Sequence, residues 1–269
     1  MIADIGGRRF EWGSRTYVMG IINVTPDSFS GDGLGSDEER AVSQGVRMMR
    51  EGADMLDVGG ESTRPGHQPI STGEEIARTE GVVARLVRET EVPISIDTYK
   101  LEVAEAAVAA GATMLNDIWG LTRSPALAQL ASNTGCALVV MHNQDGTEYS
   151  GDLMVEIKRF LRESIDRALE AGVPRERVLV DPGIGFGKTA EHNWIVMRRL
   201  EELRELGQPI LLGTSRKSFI GKALDLPVDD RIEGTAATVT AAILRGTDVV
   251  RVHDVREMTR VVLIADRMR

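Results

Sequence analysis

The chain has 269 residues, 42% of them hydrophobic, and its 41 acidic and 32 basic side chains give a net charge of −9. An acidic balance offers a phosphate backbone no electrostatic attraction, so we expect no nucleic-acid partner. The length is ample for one hydrophobic core, and we expect a single domain over residues 1–269. The sequence has no export signal and no apolar stretch of about 18 residues, which predicts a cytoplasmic protein without membrane contact. The single cysteine, Cys136, cannot form an internal disulfide and is expected to be a small buried hydrophobe.

The elements predicted from the sequence, in chain order, begin with a β-hairpin. Gly6 and Gly7 separate two short alternating segments, and we expect this hairpin to close the bottom of a barrel. Eight short apolar runs follow, and each stops at a polar group: Asn23, Glu61, Asp97, Asn116 with Asp117, His142, Asp181, Ser215 to Lys217, and Arg251 to Asp254. Helix-like stretches lie between the runs, for example 38–50, 74–88, 153–169, 193–206 and 231–244.

Continuous apolar runs of this kind are typical of parallel strands that are buried on both faces. Their alternation with helices predicts a (β/α)8 TIM barrel, and the polar ends of the runs predict an active site at its carboxyl-terminal rim. Two segments rich in Gly, Ser and Pro, 25–39 and 61–75, follow the first and second runs. We expect them to form long, mobile and functional loops over the rim.

The glycine-rich stretch DPGIGFGKT at 181–189 is not a nucleotide-binding motif. A P-loop needs glycine where Pro182 stands, and a dinucleotide fingerprint needs glycine where Lys188 stands. We expect its glycines to let a loop turn closely over a flat ligand, with Phe186 as a stacking face. The four histidines lack the spacing of a zinc site, whereas Mg²⁺ stays open because it leaves almost no spacing signature.

The predicted rim has two chemically different halves. Asp97, Asn116 and Asp181 offer carboxylate and amide groups suited to a planar heterocycle, although each could instead cap the next helix. Cationic and hydroxyl groups follow the seventh and eighth runs, where phosphate sites are frequent in such barrels. These groups are Ser215, Arg216, Lys217, Ser218, Arg251 and His253. Arg251 and His253 alternate within VVRVHD, which places both on one face of a strand and favours an anion site over a solvated basic cluster.

Several segments together resemble those of the dihydropteroate synthases, over essentially the whole chain. They are MGIINVTPDSFSGDG (19–33), DVGGESTRPG (57–66), SIDTYK (95–100), LNDIWG (115–120), MHN (141–143), DPGIGFGKT (181–189), SRKSFIG (215–221) and RVHDV (251–255). The resemblance implies condensation of 6-hydroxymethyl-7,8-dihydropterin pyrophosphate with p-aminobenzoate to 7,8-dihydropteroate and pyrophosphate. It also implies Mg²⁺ as the cofactor and a homodimer formed by helices near the C-terminus.

The same resemblance implies roles for individual residues. The pterin ring would be bound by Asp97, Asn116, Asp181 and Lys217, with Met141, Phe186 and Gly213 around it. Pyrophosphate would be bound by Asn23, Arg64, Arg251 and His253, with Asn23 also binding Mg²⁺. The p-aminobenzoate site would use Thr63, Ser218 and the loops around Phe29 and Pro65. Catalysis would rest on Asp97, Lys217, Arg251 and His253. The first loop departs from the SFSDGG of many members, because Gly31 stands ahead of Asp32 in SFSGDGLG.

Two other classes of protein would share some of these features. A pterin-binding methyltransferase that acts on methyltetrahydrofolate would have a similar barrel and pterin site, but no obvious use for Arg251, His253 and the SRKS segment. A non-catalytic pterin-binding paralogue should show lesions in the loops or in the anion site, and the sequence shows none. Binding of a pyrophosphate substrate would separate the synthase from the methyltransferase.

Overall fold

The computed structural model describes residues 1–24, 34–62 and 68–269. Its strands are β1 (Ile2–Ile5), β2 (Arg8–Glu11), β3 (Tyr17–Asn23), β4 (Met55–Gly59), β5 (Ile94–Asp97), β6 (Met114–Asp117), β7 (Ala137–Met141), β8 (Val178–Asp181), β9 (Leu211–Leu212) and β10 (Val249–Val252). Its α-helices are α1 (Leu34–Arg50), α2 (Thr72–Glu89), α3 (Leu101–Ala109), α4 (Ala126–Thr134), α5 (Leu153–Glu170), α6 (Ala190–Arg198), α7 (Ser218–Leu224), α8 (Ile232–Leu244) and α9 (Val255–Ala265). Two 3₁₀-helices span Arg175–Arg177 and Leu200–Leu206.

Strands β3 to β10 form one parallel sheet in the order β8-β7-β6-β5-β4-β3-β10-β9. A parallel bridge between Val180 and Ile210 joins β8 to the chain just before β9, which closes the sheet into a barrel. The helices lie outside this barrel, between consecutive strands, because each parallel crossover needs a helix to cover the apolar outer face of the sheet. The predicted (β/α)8 TIM barrel is therefore confirmed.

The predicted helix over 193–206 is wrong as a single element. Helix α6 ends at Arg198, and a 3₁₀-helix then runs from Leu200 to Leu206. Its buried side chains are Leu200, Leu203 and Leu206. A spacing of three residues places side chains on one face of a 3₁₀-helix, which has 3.0 residues per turn, better than on one face of an α-helix. The apolar periodicity in the sequence therefore runs through both helices and does not mark the point where the α-helix gives way to the 3₁₀-helix.

The N-terminal hairpin closes the amino-terminal end of the barrel, as predicted. Its Phe10 ring packs 4.9 Å from the Tyr17 ring and 5.4 Å from the Trp12 ring, measured between centroids. This aromatic group shares one buried cluster with the residues that begin several barrel strands. These residues are Met55, Met114, Ala137, Leu211 and Val249. The hairpin thus fills the end of the barrel opposite to the rim that carries the polar strand ends.

We expect Phe10→Leu to lower the free energy of unfolding by about 1 to 2 kcal/mol, because an aromatic pair contributes about 0.5 to 1.5 kcal/mol beyond its buried area. Urea titration followed by circular dichroism measures the change. Arg8→Ala, at an exposed position of the same hairpin, is the control and should unfold like the unchanged protein. An unchanged urea midpoint for Phe10→Leu would mean that the hairpin does not support the barrel.

Several predictions concern residues that lie outside the described part of the chain. They are the parts of the two predicted loops over 25–33 and 63–67 and the roles of Phe29, Gly31, Asp32, Thr63, Arg64 and Pro65. The predicted loop bounds of 25–39 and 61–75 are wrong at their carboxyl-terminal ends, because α1 begins at Leu34 and α2 at Thr72. Cys136 is buried in the apolar layer between barrel and helices, which confirms its prediction as a small buried hydrophobe. Within the described residues, none of the helices has the length and apolar composition needed to cross a membrane.

Candidate functional site

The polar strand ends meet at the carboxyl-terminal rim of the barrel. Gly59 ends β4 between two of them: a methyl group added there would lie 3.9 Å from Asn23 Oδ1 and 3.8 Å from Asp97 Oδ2. Next to Asp97, Asn116 stands at the paired position of β6. Parallel strands in register bring residues from distant parts of the sequence to the same level of the barrel. Asn23, Asp97 and Asn116 therefore line one side of a common rim.

Arg251 on β10 holds two carboxylates inside this rim. Its Nε lies 2.6 Å from Asp57 Oδ2, and its second guanidinium nitrogen lies 2.6 Å from Asp97 Oδ2. Asn116 Nδ2 donates to the same Asp57 oxygen at 2.9 Å. The Asp57 side chain has no exposed surface. Sequence reasoning missed Asp57, although a carboxylate inside the apolar run MLDVGG was a usable signal, because a buried acid nearly always has a partner.

Burial raises the pKa of Asp97, and the neighbouring Arg251 opposes this rise. The charge of Asp57 acts in the same direction as burial. Two carboxylates thus compete for one guanidinium, which cannot fully compensate both. A positive charge that develops close to Asp97 would stabilise the ionised form of this carboxylate and would be stabilised by it in return.

Asp181 ends β8 and is buried, with 6% of its surface exposed. Its Oδ1 accepts a hydrogen bond from the backbone N–H of Gly183 at 2.6 Å, so this carboxylate also shapes the turn that follows it. Burial raises the pKa of Asp181 to about 6, against the effect of this hydrogen bond and of nearby cations. By contrast, Asp117 accepts from the backbone N–H groups of Trp119 and Leu121, and we assign it a structural role in the turn after β6.

Lys217 lies between the two halves of the rim. Its Nζ is 4.3 Å from the centre of the Phe186 ring, and a methyl group added at Gly185 would approach that nitrogen to 3.4 Å. Desolvation and the charge of Arg251 lower the pKa of Lys217 to about 8. Met141 ends β7 opposite Asp181, its paired residue on β8. The Lys217 ammonium thus lies over the Phe186 ring in a cation–π contact.

Gly213 and His253 complete the side of the rim next to β9 and β10. A methyl group at Gly213 would lie 3.8 Å from Arg251 Cβ, so the missing side chain leaves room beside the base of the Arg251 side chain. His253 Nδ1 lies 3.0 Å from Ser215 Oγ, which also accepts the His253 backbone N–H at 3.1 Å. Burial, followed by the positive charge of Arg251, lowers the pKa of His253 to about 3. The imidazole is therefore neutral near pH 7.

Arg216, one of the cationic groups that the sequence predicted for an anion site, is ion-paired with a carboxylate, as Arg251 is. Its guanidinium forms a two-point ion pair with Asp254, at 3.1 and 2.5 Å, and its backbone carbonyl accepts from Arg231. The φ of Arg216 is +58°, which turns the chain sharply between β9 and α7. A bidentate carboxylate pair compensates the guanidinium locally. Ser218, the first residue of α7, is exposed.

A second pair that sequence reasoning missed lies under the glycine-rich loop after β8. Lys188 is 8% exposed, and its Nζ lies 2.8 Å from His142 Nδ1 and 3.0 Å from the Phe186 carbonyl oxygen. Desolvation lowers the pKa of Lys188 to about 7 and that of His142 to about 3. His142 was predicted only as the polar end of a strand, and Lys188 only as the residue that breaks a motif.

Glu61, the polar end of the second run, belongs to a buried ion cluster. Lys100 Nζ lies 2.7 Å from Glu61 Oε2, 2.8 Å from Glu75 Oε2 and 2.8 Å from the Ile70 carbonyl oxygen. The Glu61 Oε2 atom also accepts the backbone N–H of Ile70 at 3.2 Å. Lys100 therefore connects Glu61, just after β4, with Ile70, just before α2.

The donor groups of the rim do not form a preformed metal cage. Within residues 1–24, 34–62 and 68–269, no group of three or more His, Cys, Asp or Glu side chains could hold a metal ion. Asn23 offers one amide oxygen at the end of β3. Mg²⁺ usually takes one or two protein oxygens together with phosphate oxygens and water, so the groups present fit this ion only when a phosphate ligand accompanies it.

Comparison with known proteins agrees with this geometry. The family model of pterin binding enzymes matches residues 19–253. The dihydropteroate synthase of Clostridium beijerinckii is 50% identical over 263 residues, which cover 97% of each chain. The solved dihydropteroate synthase of Clostridium difficile, in the presence of pteroic acid, superimposes with a TM-score of 0.94 at 49% identity, over 96% of this chain and 98% of that one. That of Xanthomonas albilineans with 4-aminobenzoic acid has a TM-score of 0.94 at 41% identity, over 99% and 97%. The chain therefore belongs to the pterin-binding enzymes, in the family of the dihydropteroate synthases.

Proposed function

We propose that this protein is a transferase of folate biosynthesis that condenses 6-hydroxymethyl-7,8-dihydropterin pyrophosphate with p-aminobenzoate. The observation that carries the proposal is one rim that combines the buried carboxylate of Asp181 and the ammonium of Lys217 with Arg251 and His253. The first two groups suit a heterocycle, and the last two suit an anion. A substrate that joins a pterin to a pyrophosphate needs both.

The pterin would lie between Asp97, Asn116, Asp181 and Lys217, with Met141, Phe186 and Gly213 around it. The ionised Asp181 would accept two N–H bonds from the amino-pyrimidine edge of the ring, each strengthened by the charge of the carboxylate. Lys217 would donate to a ring acceptor. Met141, Phe186 and Gly213 would supply apolar contact and space for a flat ring.

The reaction would begin with cleavage of the bond between the pterin methylene carbon and the pyrophosphate oxygen. The bonding electrons leave with pyrophosphate, whose charge Arg251 and the neutral N–H of His253 would stabilise. The carboxylate of Asp97 would stabilise the positive charge on the pterin. The p-aminobenzoate nitrogen then bonds to the methylene carbon and loses a proton. Thr63, Arg64 and Ser218 are proposed to complete the substrate sites.

Magnesium is proposed as the cofactor, held by Asn23 together with pyrophosphate oxygens and water. When bound, the ion would neutralise part of the charge on the leaving group. Asn23 fits this role because it lies close to Asp97 at the end of β3 and brings a single uncharged oxygen.

Mg²⁺ should bind weakly to the protein alone and at least about tenfold more tightly in the presence of pyrophosphate, because the phosphate oxygens complete its coordination. Isothermal titration calorimetry with and without pyrophosphate measures the two affinities. Asn23→Ala should reduce the gain that pyrophosphate brings. Tight binding of Mg²⁺ to the protein without pyrophosphate would contradict this assignment.

A turnover assay with the two substrates and Mg²⁺ tests the proposed reaction. Formation of 7,8-dihydropteroate and pyrophosphate in equal amounts is expected. The methyltransferase alternative predicts no product in this assay and methyl transfer from methyltetrahydrofolate to a corrinoid protein. The non-catalytic alternative predicts pterin binding without turnover.

We also infer that the protein is a homodimer in the cytoplasm. Helices α6, α7 and α8 leave an apolar groove of about 340 Å³, and Leu224 beside it is 47% exposed. The groove is lined by Trp194, Met197, Ile220, Leu224, Ala237 and Ala241, among others. An exposed apolar patch of this kind is typical of a protein interface.

Leu224→Glu should shift the dimer to monomer by placing a charge in this apolar groove. Sedimentation velocity measures the species at several protein concentrations. Val155→Glu, at a 57% exposed position on α5, is the control and should remain dimeric. A dimer that survives Leu224→Glu would place the interface elsewhere.

A further inference from the structure

Lys188 has a buried amino group, charged below about pH 7, whose hydrogen bonds go to neutral groups. Its ammonium contacts His142 Nδ1 at 2.8 Å and the Phe186 carbonyl oxygen at 3.0 Å. Among the described residues, no carboxylate oxygen lies within 4.0 Å of it. Burying an ammonium without an adjacent carboxylate is costly, and a neutral donor could have formed the same two hydrogen bonds. A lysine at this place therefore suggests a use for its charge.

His142 is built to accept from this lysine. An ammonium has no acceptor, so Nδ1 of His142 must accept and its ring proton must lie on Nε2. The imidazole packs 4.9 Å from the Phe160 ring and 6.1 Å from the Tyr149 ring. This apolar packing fixes the orientation of the ring and keeps it neutral.

The contact also aligns the loop after β8 with the end of β7. Gly183 has a φ of +71°, and a methyl group there would overlap the His142 carbonyl oxygen. Tyr149 provides a second tie to the same loop, because its hydroxyl donates to the Gly187 carbonyl at 2.8 Å. The Lys188 bond to the Phe186 carbonyl thus fixes the segment that places the Phe186 ring against Lys217.

Lys188 lies close to Asp181 through Gly183. A methyl group at Gly183 would lie 3.3 Å from Lys188 Nζ, and the Gly183 backbone N–H donates to Asp181 Oδ1 at 2.6 Å. The charged groups that act on the Asp181 carboxylate are Lys217, Arg251 and Lys188, and each favours its ionised form. In return, Asp181 favours the charged form of Lys188, whereas Lys217 opposes it. Lys188 and Asp181 are therefore coupled through space, although they form no ion pair within 4.0 Å.

We propose that Lys188 is a positioning residue of the pterin subsite, which holds the loop after β8 against β7 and supplies a buried positive charge that keeps Asp181 ionised. The proposal rests on the proposed function, because it assigns the pterin ring to Asp181. Lys188 itself lies under the loop and acts through Asp181 and Phe186.

The test compares the pH dependence of kcat/KM for dihydropterin pyrophosphate in four proteins: the unchanged enzyme, Lys188→Met, Lys188→Arg and Tyr149→Phe. In Lys188→Met the acid limb of the pH profile, the fall of kcat/KM as Asp181 takes up a proton, should move to higher pH by about one unit. Because the pKa of Asp181 is about 6 in the unchanged enzyme, kcat/KM should fall about fivefold at pH 6 and about tenfold well below it. Near pH 9 the loss should shrink to less than about threefold, because Lys188 is then largely neutral in the unchanged enzyme too. The loss should lie mainly in the KM for the pterin substrate.

The two other variants separate charge from structure. Lys188→Arg keeps the positive charge and should keep the acid limb of the unchanged enzyme. Tyr149→Phe removes the other tie of the same loop without changing any charge near Asp181, so its acid limb should not move. An acid limb that is the same in Lys188→Met as in the unchanged enzyme would overturn the proposal. So would an equal shift in Tyr149→Phe.

Calorimetry with pteroic acid at pH 6 and pH 9 tests the proposal through binding affinity, without relying on turnover. Lys188→Met should bind pteroic acid more weakly at pH 6 and nearly normally at pH 9. Absence of turnover in the unchanged enzyme would count against the proposed reaction, whereas equal binding by both proteins at pH 6 would count against the role of Lys188. If Lys188→Met does not fold, Lys188→Gln, which can donate to the same two acceptors without a charge, replaces it.

Discussion

Asp181→Asn should lower kcat/KM for dihydropterin pyrophosphate by at least about a hundredfold and leave the fold intact. The carboxylate would lose two charge-assisted hydrogen bonds to the pterin, each contributing about 1.5 to 3 kcal/mol, and about 1.4 kcal/mol corresponds to a factor of ten. The amide oxygen of asparagine can still accept the Gly183 N–H that Asp181 Oδ1 accepts at 2.6 Å. Steady-state kinetics and pteroic acid binding measure the loss. Near-normal pterin binding by the folded variant would refute the assignment of Asp181.

The pKa of the Asp181 carboxylate determines whether Asp181→Asn raises or lowers the stability of the fold. Burial raises the pKa of Asp181 from 3.8 to about 6, so the folded protein holds this proton more tightly than the unfolded chain. Ionisation of Asp181 therefore costs stability, and the cost grows between pH 3.8 and about pH 6 and stays constant above. Asparagine removes the cost, and the Tm of the variant at pH 8 should be equal or higher.

Asp117→Asn is the matched control, because Asp117 is also a buried aspartate at the end of a strand. It accepts the backbone N–H groups of Trp119 and Leu121, at 2.9 and 2.6 Å. The amide nitrogen of asparagine cannot accept the second of these N–H groups, which costs about 1 to 3 kcal/mol in unfolding free energy. Burial also raises the pKa of Asp117 to about 6, so removal of the buried charge offsets part of this loss above pH 6, and the net loss should be largest at acid pH. The effect on kcat/KM should be small. The two substitutions should thus differ in kind: one reduces activity and the other reduces stability.

Arg251→Met should reduce both stability and activity. The Asp57 side chain has no exposed surface and that of Asp97 is 11% exposed, and both would lose the guanidinium that lies 2.6 Å from each. Removing one partner of a buried ion pair costs about 3 to 5 kcal/mol, because the remaining charge is left uncompensated. Loss of a donor to the leaving group should lower kcat about a hundred- to a thousandfold. Urea titration and single-turnover kinetics measure the two effects.

The pH dependence of the Arg251→Met defect distinguishes its cause. Arg251 favours the ionised form of Asp97, so without the guanidinium the pKa of Asp97 should rise further. Protonation of Asp97 then removes its uncompensated charge, and the loss of stability should shrink as the pH falls from 8 towards 5. Adding Asp57→Asn should restore part of the stability at pH 8. Arg167→Met is the control, since Arg167 pairs on the surface with Glu163 at 3.8 Å and should contribute at most about 1 kcal/mol. A loss that does not depend on pH would point to packing instead of charge.

The fold could be predicted from the sequence because its signals are local. Continuous apolar runs, each ended by a polar group, define buried parallel strands and the level at which they stop. The Gly6–Gly7 turn predicted the hairpin in the same way. Because all strands of a parallel barrel end at one rim, Asp97, Asn116 and Asp181 could be expected to meet without knowledge of their contacts.

The pairing of charges at the rim was decided only by the tertiary structure. Arg251 pairs with Asp57 across 194 residues, and Lys188 contacts His142 across 46. No local pattern encodes such partners, because they depend on which strands become neighbours when the barrel closes. Burial then decides protonation: His253 becomes neutral and the pKa of Asp97 rises, since the cost of a charge is set by its surroundings in space. The sequence alone therefore determined which polar groups reach the rim, and the closed barrel decided which of them carry a charge and what each one faces.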